Sequence, residues 1–463
     1  MASRSCELGN LASYAINVTG ENDVKAALDF VKKHNIRLTV KNTGHDFLGK
    51  STGKGSLALW MHNLRGMTTV ADYNSVGYKG PAARVEAGVI GGEALSVLSQ
   101  QGYRIITGTC PSVGLAGGFS SGGGHSLLAS AYGMGSDAVL EWDVIKPNGQ
   151  RVTATPTRHS DLYWALSGGG SGTYGIVLGI TVKIFPDGIV GGGSLTFNAS
   201  SVGNDSFWGA VGELVTRLPS FVDGGNTLTW AVQDNIFSTN AITVPDKDAV
   251  AVRELMAPFL EVLEMRGINY DFVTQTSATY LEHYTRYLGP LPYGRWPSTV
   301  QLSSRLVPRA ILSNAEATAN LTRALRVTVE DRYHMVGCHS INVKNVEHPD
   351  NAVIPAWRDA VAICLVTAFW DFNLTWDQML AHKKHLVDVI IPTLEAATAG
   401  SASYMNEMDA LYKGDWKKEF YAENYQQLWD TKRKYDPEGL LYGYTAIGSD
   451  AWTVDGSGRL CKA

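Results

Sequence analysis

Between Gly108 and His125 the chain reads Gly-Thr-Cys-Pro-Ser-Val-Gly-Leu-Ala-Gly-Gly-Phe-Ser-Ser-Gly-Gly-Gly-His. Backbone left this bare is needed where a chain must turn sharply or come close to something else. Ordering so many glycines costs conformational entropy, so a bound group is expected to offset it. Exposed N–H groups suit phosphates or a flat aromatic ring. A flexible linker would not carry Val113, Leu115 and Phe119 at spaced positions. Nor would it follow directly on the strand-like Tyr103–Thr107. A second block, Ser167-Gly-Gly-Gly-Ser-Gly-Thr-Tyr-Gly175, also sits between regular elements.

These blocks account for much of an unusual glycine content, 49 in 463 residues. The length allows two or three domains with a sizeable core. A net charge of −5 without a basic run argues against nucleic acid or an acidic membrane as partner. No segment approaches the roughly 20 apolar residues that span a bilayer. The five cysteines, Cys6, Cys110, Cys338, Cys364 and Cys461, lack zinc-site spacing, and His382 and His385 read as the solvated side of a helix, so no metal is expected. Sequons at Asn17, Asn198, Asn204, Asn320 and Asn373 favour the secretory route over the cytoplasm, although Met1–Cys6 lacks a signal peptide's apolar core.

In chain order, Tyr14–Val18 reads as a strand, followed by a helix with Val24, Ala27, Leu28 and Val31 on one face. Strands at Ile36–Val40 and Leu57–Met61 flank the loop Lys41–Ser51. Arg84–Gly88 is strand-like and Glu93–Gln101 a short helix. Beyond the glycine stretch, Ala138–Ile145 and Ile176–Phe185 read as strands and Asp161–Leu166 as a helical turn. No Gly-x-Gly-x-x-Gly opens a helix after a first strand, so this is not a dinucleotide fold. From about Asp187 the texture changes. Strand-like Thr227–Gln233 and helices at Asp248–Met265 and Trp376–Ile391 suggest a separate α+β unit on an antiparallel sheet. The return is at about Gly400–Ala402. A final aromatic helix carries Tyr421, Asn424, Tyr425 and Leu428 on one face and stops at Asp436-Pro437.

Four segments in this order resemble the vanillyl-alcohol oxidase / p-cresol methylhydroxylase superfamily, in its berberine-bridge-enzyme-like branch. They are Asn42-Thr-Gly-His-Asp46, Gly108 to Gly124, Asp161 to Gly172, and Tyr421-Ala-Glu-Asn-Tyr425 with Lys432 to Pro437. The resemblance implies an α+β fold: a two-part FAD-binding domain (1–187 and 403–463) with an inserted substrate domain (188–402) on an antiparallel sheet. It implies FAD attached twice, with His45 at the ring's 8α carbon and Cys110 at ring carbon 6. Imidazole and thiolate are the nucleophiles such bonds need. Further flavin contacts are expected from Asn42, Thr43, Gly44, Asp46 and Gly49; from Thr109, Val113, Gly114, Gly117, Gly118, Ser121, Gly124 and His125; from Gly175, Ile176 and Val177; and from Tyr421 and Asn424. Val113 would border the approach of O2, and His125 would be a structural histidine near the ring.

Two departures from the family matter. Ser167 stands where arginine is common. Tyr404-Met-Asn-Glu407 replaces the Tyr-x-Asn-Tyr of oligosaccharide oxidases and cannabinoid synthases, whose last tyrosine is the base. Glu407 is therefore the candidate catalytic base, desolvated beside an apolar ring. Tyr404 is the second candidate, more suited to bracing the flavin, as is Asn406. The implied activity is a monomeric FAD oxidase passing a hydride from a small organic molecule to flavin N5, with O2 as acceptor and H2O2 as product. An alcohol, an amine or an activated C–H compound of secondary metabolism would serve as substrate. One alternative is an oligosaccharide oxidase, with Trp230, Trp296 and Trp370 as stacking platforms. The other is a flavoprotein whose FAD is mainly structural and whose pocket steers a redox-neutral cyclisation. With Cys110 taken by the flavin, at least one disulfide is expected among the other four cysteines, including the terminal Cys461.

Overall fold

The computed structural model describes residues 7–295 and 300–463. Its first unit is a small parallel sheet in which Leu57–Trp60 lies between Tyr14–Asn17 and Leu38–Lys41. The intervening helix, Glu21–His34, buries the predicted Val24, Ala27, Leu28 and Val31 and ends at Asn35 in the left-handed region. A five-stranded antiparallel sheet follows, in the order Met67–Ser75, Tyr78–Glu86, Ile176–Lys183, Val139–Ile145, Arg151–Ala154. The glycine stretch leaves this framework after a strand reduced to Tyr103–Arg104, because Ile105 and Ile106 are buried but already run into the loop.

The second unit is a seven-stranded antiparallel sheet. Its order is Tyr270–Ser277, Val190–Asn198, Ile236–Pro245, Thr227–Gln233, His334–Ser340, Ala360–Phe369, Val300–Pro308. Helices Gly203–Val222, Ala249–Met265 and Ala315–Val329 carry buried apolar residues that join one core with this sheet. Asp248 caps the second of these, its carboxylate accepting from Val250 and Ala251. Alternate residues of the sheet's strands therefore face the helices or the first unit.

Two expectations fail for identifiable reasons. Cys338 and Cys364, not Cys461, form the disulfide: they are register partners on neighbouring antiparallel strands, whereas Cys461 is free in a short terminal hairpin. Cys6 lies outside the described residues. The final aromatic helix is broken as well. Trp416–Tyr421 ends at Ala422, whose φ is +46°, and after a turn of 3-10 helix a second helix runs from Tyr425 to Tyr435. The break takes Tyr421 and Asn424 off the shared face. Among the described residues, no helix is long and apolar enough to cross a membrane, and no group of three or more His, Cys, Asp or Glu could hold a metal ion.

Candidate active site

A cavity of about 1030 Å³ opens between the glycine stretch, the Lys41–Ser51 loop and the antiparallel sheet. Pockets for a single small ligand typically enclose about 300–1,000 Å³, so this one has room for a cofactor and a substrate together. The sequence-predicted residues on its wall are Asn42, Thr43, Gly44, His45, Asp46, Thr109, Cys110, Val113, Gly114, Gly117, Gly118, Ser121, His125, Gly175, Val177, Tyr404 and Glu407.

Five of the expected contacts lie off the wall. Gly49 turns the first loop at φ +75°. Gly124, at φ +78°, backs onto Phe119 and donates its N–H to the Tyr404 hydroxyl. Ile176 packs in the small core under the parallel sheet. Tyr421 donates to the Thr445 carbonyl (3.0 Å) and Asn424 to the Ala352 carbonyl (3.2 Å), both directed elsewhere by the break at Ala422.

Asp46 shapes the first loop by accepting from the Leu48 and Ser51 amides and the Ser51 hydroxyl. His45 then reaches the second loop: its Nε2 lies 2.8 Å from the Ser112 hydroxyl, two residues from Cys110. Both attachment candidates therefore face one end of the cavity. Surrounding protein lowers the pKa of His45, favouring the neutral, nucleophilic imidazole. The Cys110 thiol is pushed up to about 11, first by burial and then by the charge of Glu407, which places that carboxylate within electrostatic reach of the sulfur. Lys50 also lines the cavity, and sequence reasoning passed over it. Desolvation brings its ammonium down to about 8 against the opposing pull of Asp46, so it stays mainly charged at neutral pH and an anion beside it would be stabilised. Its place next to Gly49 in the first flavin loop was the available signal.

Several glycines of the central stretch are bare for a reason internal to the protein. A Cβ on Gly114 would lie 2.5 Å from the Asn42 amide, and one on Gly122 would lie 2.4 Å from that of Asn406. Asn406 Nδ2 donates to the Gly118 carbonyl (2.6 Å) and to the Tyr404 hydroxyl (2.8 Å). The Tyr404–Glu407 segment is thus docked onto the glycine stretch through its asparagine. Tyr404 accepts from Asn406 and Gly124, and burial, with Glu407 second, holds its phenol far above the usual range. It stays protonated and acts as a brace, not a base.

Glu407 follows the brace on a turn closed by its own N–H to the Tyr404 carbonyl. His125 Nε2 donates to both of its oxygens, at 3.1 and 3.2 Å. The His125 ring sits 4.9 Å from that of His339, which reaches across from the sheet with its Nδ1 on the Thr229 hydroxyl (3.0 Å). Burial, and then the nearness of His125, keep His339 neutral. His339, Thr229 and Asn240 line the sheet side of the cavity. Of their three strands only Thr227–Gln233 was read from the sequence, and its pattern does not say which face meets the cavity, so these three were not identified from sequence. Ser167 is fully buried and accepts from the Trp142 indole (2.8 Å). Trp230 borders the cavity but is only 1% exposed, its ring stacked on Phe237 and its Nε1 donating to Ser340, so it offers little face to a sugar. Trp370 stands against Trp376 and does not line the cavity. Trp296 lies outside the described residues.

The wall fits a flavin dinucleotide. Asn42 Oδ1 and His125 Nδ1 are buried without a hydrogen-bond partner on residues that border the cavity, and a polar ligand would satisfy them. His45, Cys110 and Lys50 add two nucleophiles and a cation.

Comparison with known proteins agrees. The family "FAD binding domain" matches residues 12–155, and the family "Berberine and berberine like" matches 403–447. The chain is 51% identical over 462 residues to a bifunctional decalin synthase, calF, of Penicillium decumbens, covering 99% of this chain and 80% of that protein. It is 45% identical over 462 residues to the VAO-type flavoprotein oxidase VAO615 of Thermothelomyces thermophilus, covering 100% of this chain and 80% of that one. The crystal structure of VAO-type flavoprotein MtVAO615 from Myceliophthora thermophila C1 superposes with a TM-score of 0.96, at 45% identity over 100% of this chain and 84% of that one. MtVAO713 from the same source gives 0.89 at 26% identity, over 100% and 84%.

Proposed function

This chain belongs to the VAO-type family of FAD-linked oxidoreductases, and from that premise we propose that it oxidises a small organic molecule, with Glu407 as proton acceptor and O2 as final oxidant. The observation that carries the reading is the pairing of Glu407 with His125 on the cavity wall, beside Cys110. Bound FAD supplies a two-electron acceptor, and O2 then takes those electrons and leaves as H2O2. The protein's part is positional. A substrate C–H that gives up a hydride leaves a cation unless a proton departs as well, and Glu407 is the carboxylate available to take it. His125 holds both carboxylate oxygens and so fixes the direction in which the base faces. His45 and Cys110 are the proposed points of attachment. The neutral imidazole favours the first bond, and Glu407, on the same cavity wall as Cys110, can receive the thiol proton in the second; each attachment would replace a C–H proton of the ring and leave two electrons on it, which O2 would remove as H2O2.

Acid-precipitated, denatured protein is expected to stay yellow, with one FAD per chain. Flavin that washes wholly into the supernatant overturns the attachments. Glu407→Gln keeps the shape and removes the base, so flavin reduction under anaerobic substrate is expected to slow by at least about 10². Near wild-type reduction would place the base elsewhere. A second reading, redox-neutral cyclisation, draws support from the decalin synthase at 51% identity. It predicts product formation without bleaching of the flavin and without peroxide.

A further inference from the structure

Along the sheet wall of the cavity the chemistry changes with distance from Glu407. At the inner end stand Asn240, Thr229 and His339, all polar. Thr229 and His339 are direct register partners, and His339 pairs in turn with Ile363 on the next strand. Moving outward two residues at a time, the strand Ala360–Phe369 presents Leu365, Thr367 and Phe369 to the cavity. Their neighbours Cys364, Val366 and Ala368 are buried on the helix side. Leu302 and Met335 flank Thr367 from the strands on either side. Exposure rises along the row, from 0% at Ile363 to 39% at Phe369. Six residues of extended strand span about 20 Å.

Gly337 sits in the middle of this wall. Glycine inside a strand weakens it and marks a bulge, a bend or the close approach of another group. Neither ladder that contains Gly337 shows a register shift, so no bulge requires it. Its φ is not in the left-handed region, so no turn requires it. No protein atom requires it either: a Cβ there would meet nothing nearer than 3.9 Å, and the residue lines the cavity. What remains is a ligand.

We propose that this trough, floored by Gly337 and walled by Leu302, Met335 and Leu365, receives an extended apolar tail of the substrate, whose polar, reacting end lies among Glu407, His125 and His339. The inference rests on the reading of Glu407 as the reacting end. It adds the substrate class: an amphiphile with an oxidisable polar head and an unbranched or flat hydrocarbon chain. Among the described residues that line the outer wall, none carries a formal charge to bind a polar tail. Burying such a tail against these side chains is favourable in proportion to the apolar area removed from water.

The test is a homologous series of para-alkyl benzyl alcohols, from methyl to decyl, titrated into the anaerobic holoenzyme. Binding is read from the perturbed flavin absorbance and reduction from its bleaching. Kd is expected to fall by up to about fourfold per methylene until the trough is full. Gly337→Leu, whose Cβ meets nothing nearer than 3.9 Å, should flatten the series once the tail reaches it. Phe369→Ser, at the exposed mouth, should weaken only the longest members. A Kd that stays within twofold across the series, absence of binding included, overturns the proposal, as does a wild-type slope in Gly337→Leu. Binding that steepens with length but never bleaches the flavin upholds the trough and defeats the oxidase reading. Bleaching without a length dependence does the reverse.

Discussion

Gly122→Ala tests the way the two sequence-distant parts of the flavin domain are joined. The new Cβ would lie 2.4, 2.6 and 2.7 Å from Nδ2, Oδ1 and Cγ of Asn406. Ordinary van der Waals contact requires roughly 1 Å more than the shortest of these. Either the glycine stretch gives way or Asn406 retreats and loses its bonds to the Gly118 carbonyl and the Tyr404 hydroxyl. Overpacking costs about 1–3 kcal/mol, and two hydrogen bonds about 1–3 kcal/mol together, so a loss of about 1–3 kcal/mol is expected by either route. For a large domain that corresponds to a fall of about 2–12 °C in the melting midpoint. In an Asn406→Ala background the clashing atoms are gone. There Gly122→Ala should be neutral or stabilising by up to about 1 kcal/mol, since the site is helical. The double-mutant cycle, read by thermal melts followed by circular dichroism and by flavin fluorescence, should therefore show a coupling of about 1–4 kcal/mol. An equal loss in both backgrounds would refute the reasoning, because the strain would then lie in the glycine stretch itself.

His125→Leu should lower the rate of flavin reduction, taken per bound flavin, at least tenfold, and His125→Asn, which can still donate to Glu407, should recover most of it; equal defects would mean that His125 only fills space. Arg358→Ala strands Asp137, a fully buried carboxylate that Arg358 grips with two nitrogens (2.7 and 2.8 Å), and should cost about 3–5 kcal/mol at neutral pH. Burial alone would raise the Asp137 pKa, but Arg358 and two further donors hold it below 3.8. In the wild type its contribution is therefore present above pH 3.8 and lost on acidification. Without Arg358 the sign reverses, and the variant's deficit should shrink as pH falls, which melts from pH 4 to 8 would check. Unfolded, unreduced protein should show the Cys338–Cys364 pair intact, and Cys338→Ser should cost about 2–4 kcal/mol, tested by thiol titration and thermal melts.

The parts of the fold legible in the sequence were those set by local chemistry. The Val24–Val31 stripe, the helix at Asp248–Met265 and the glycine blocks report their own surroundings. Their arrangement around FAD was carried by the resemblance of four ordered motifs rather than by periodicity. The failures have a common cause in long-range contacts. Tyr421 and Asn424 have helical spacing, yet a positive φ at Ala422 breaks the helix at a residue type that gives no warning. The pairing of Cys338 with Cys364 depends on strand register, which spacing does not reveal. Gly114 and Gly122 were read as bare for a cofactor's sake, when two asparagines, Asn42 and Asn406, fill the space beside them.

Glu407 shows how far a motif can carry a role and where geometry must take over. The template position held a tyrosine in relatives, and substituting a carboxylate changes what the site must provide. A phenol can stay neutral in a buried place, but a carboxylate needs donors. Here both oxygens are met by one imidazole, and the brace three residues earlier in the motif is locked by Asn406 and Gly124. The reacting end of the cavity is thus over-determined: moving Glu407 means breaking His125, Tyr404 and the glycine stretch together. The far end, toward Phe369, has no such network, and its side chains are partly exposed. Changes there alter shape and apolar area without disturbing the base. Substitutions toward Phe369 are therefore expected to shift which molecules bind while leaving the Glu407–His125 pair in place.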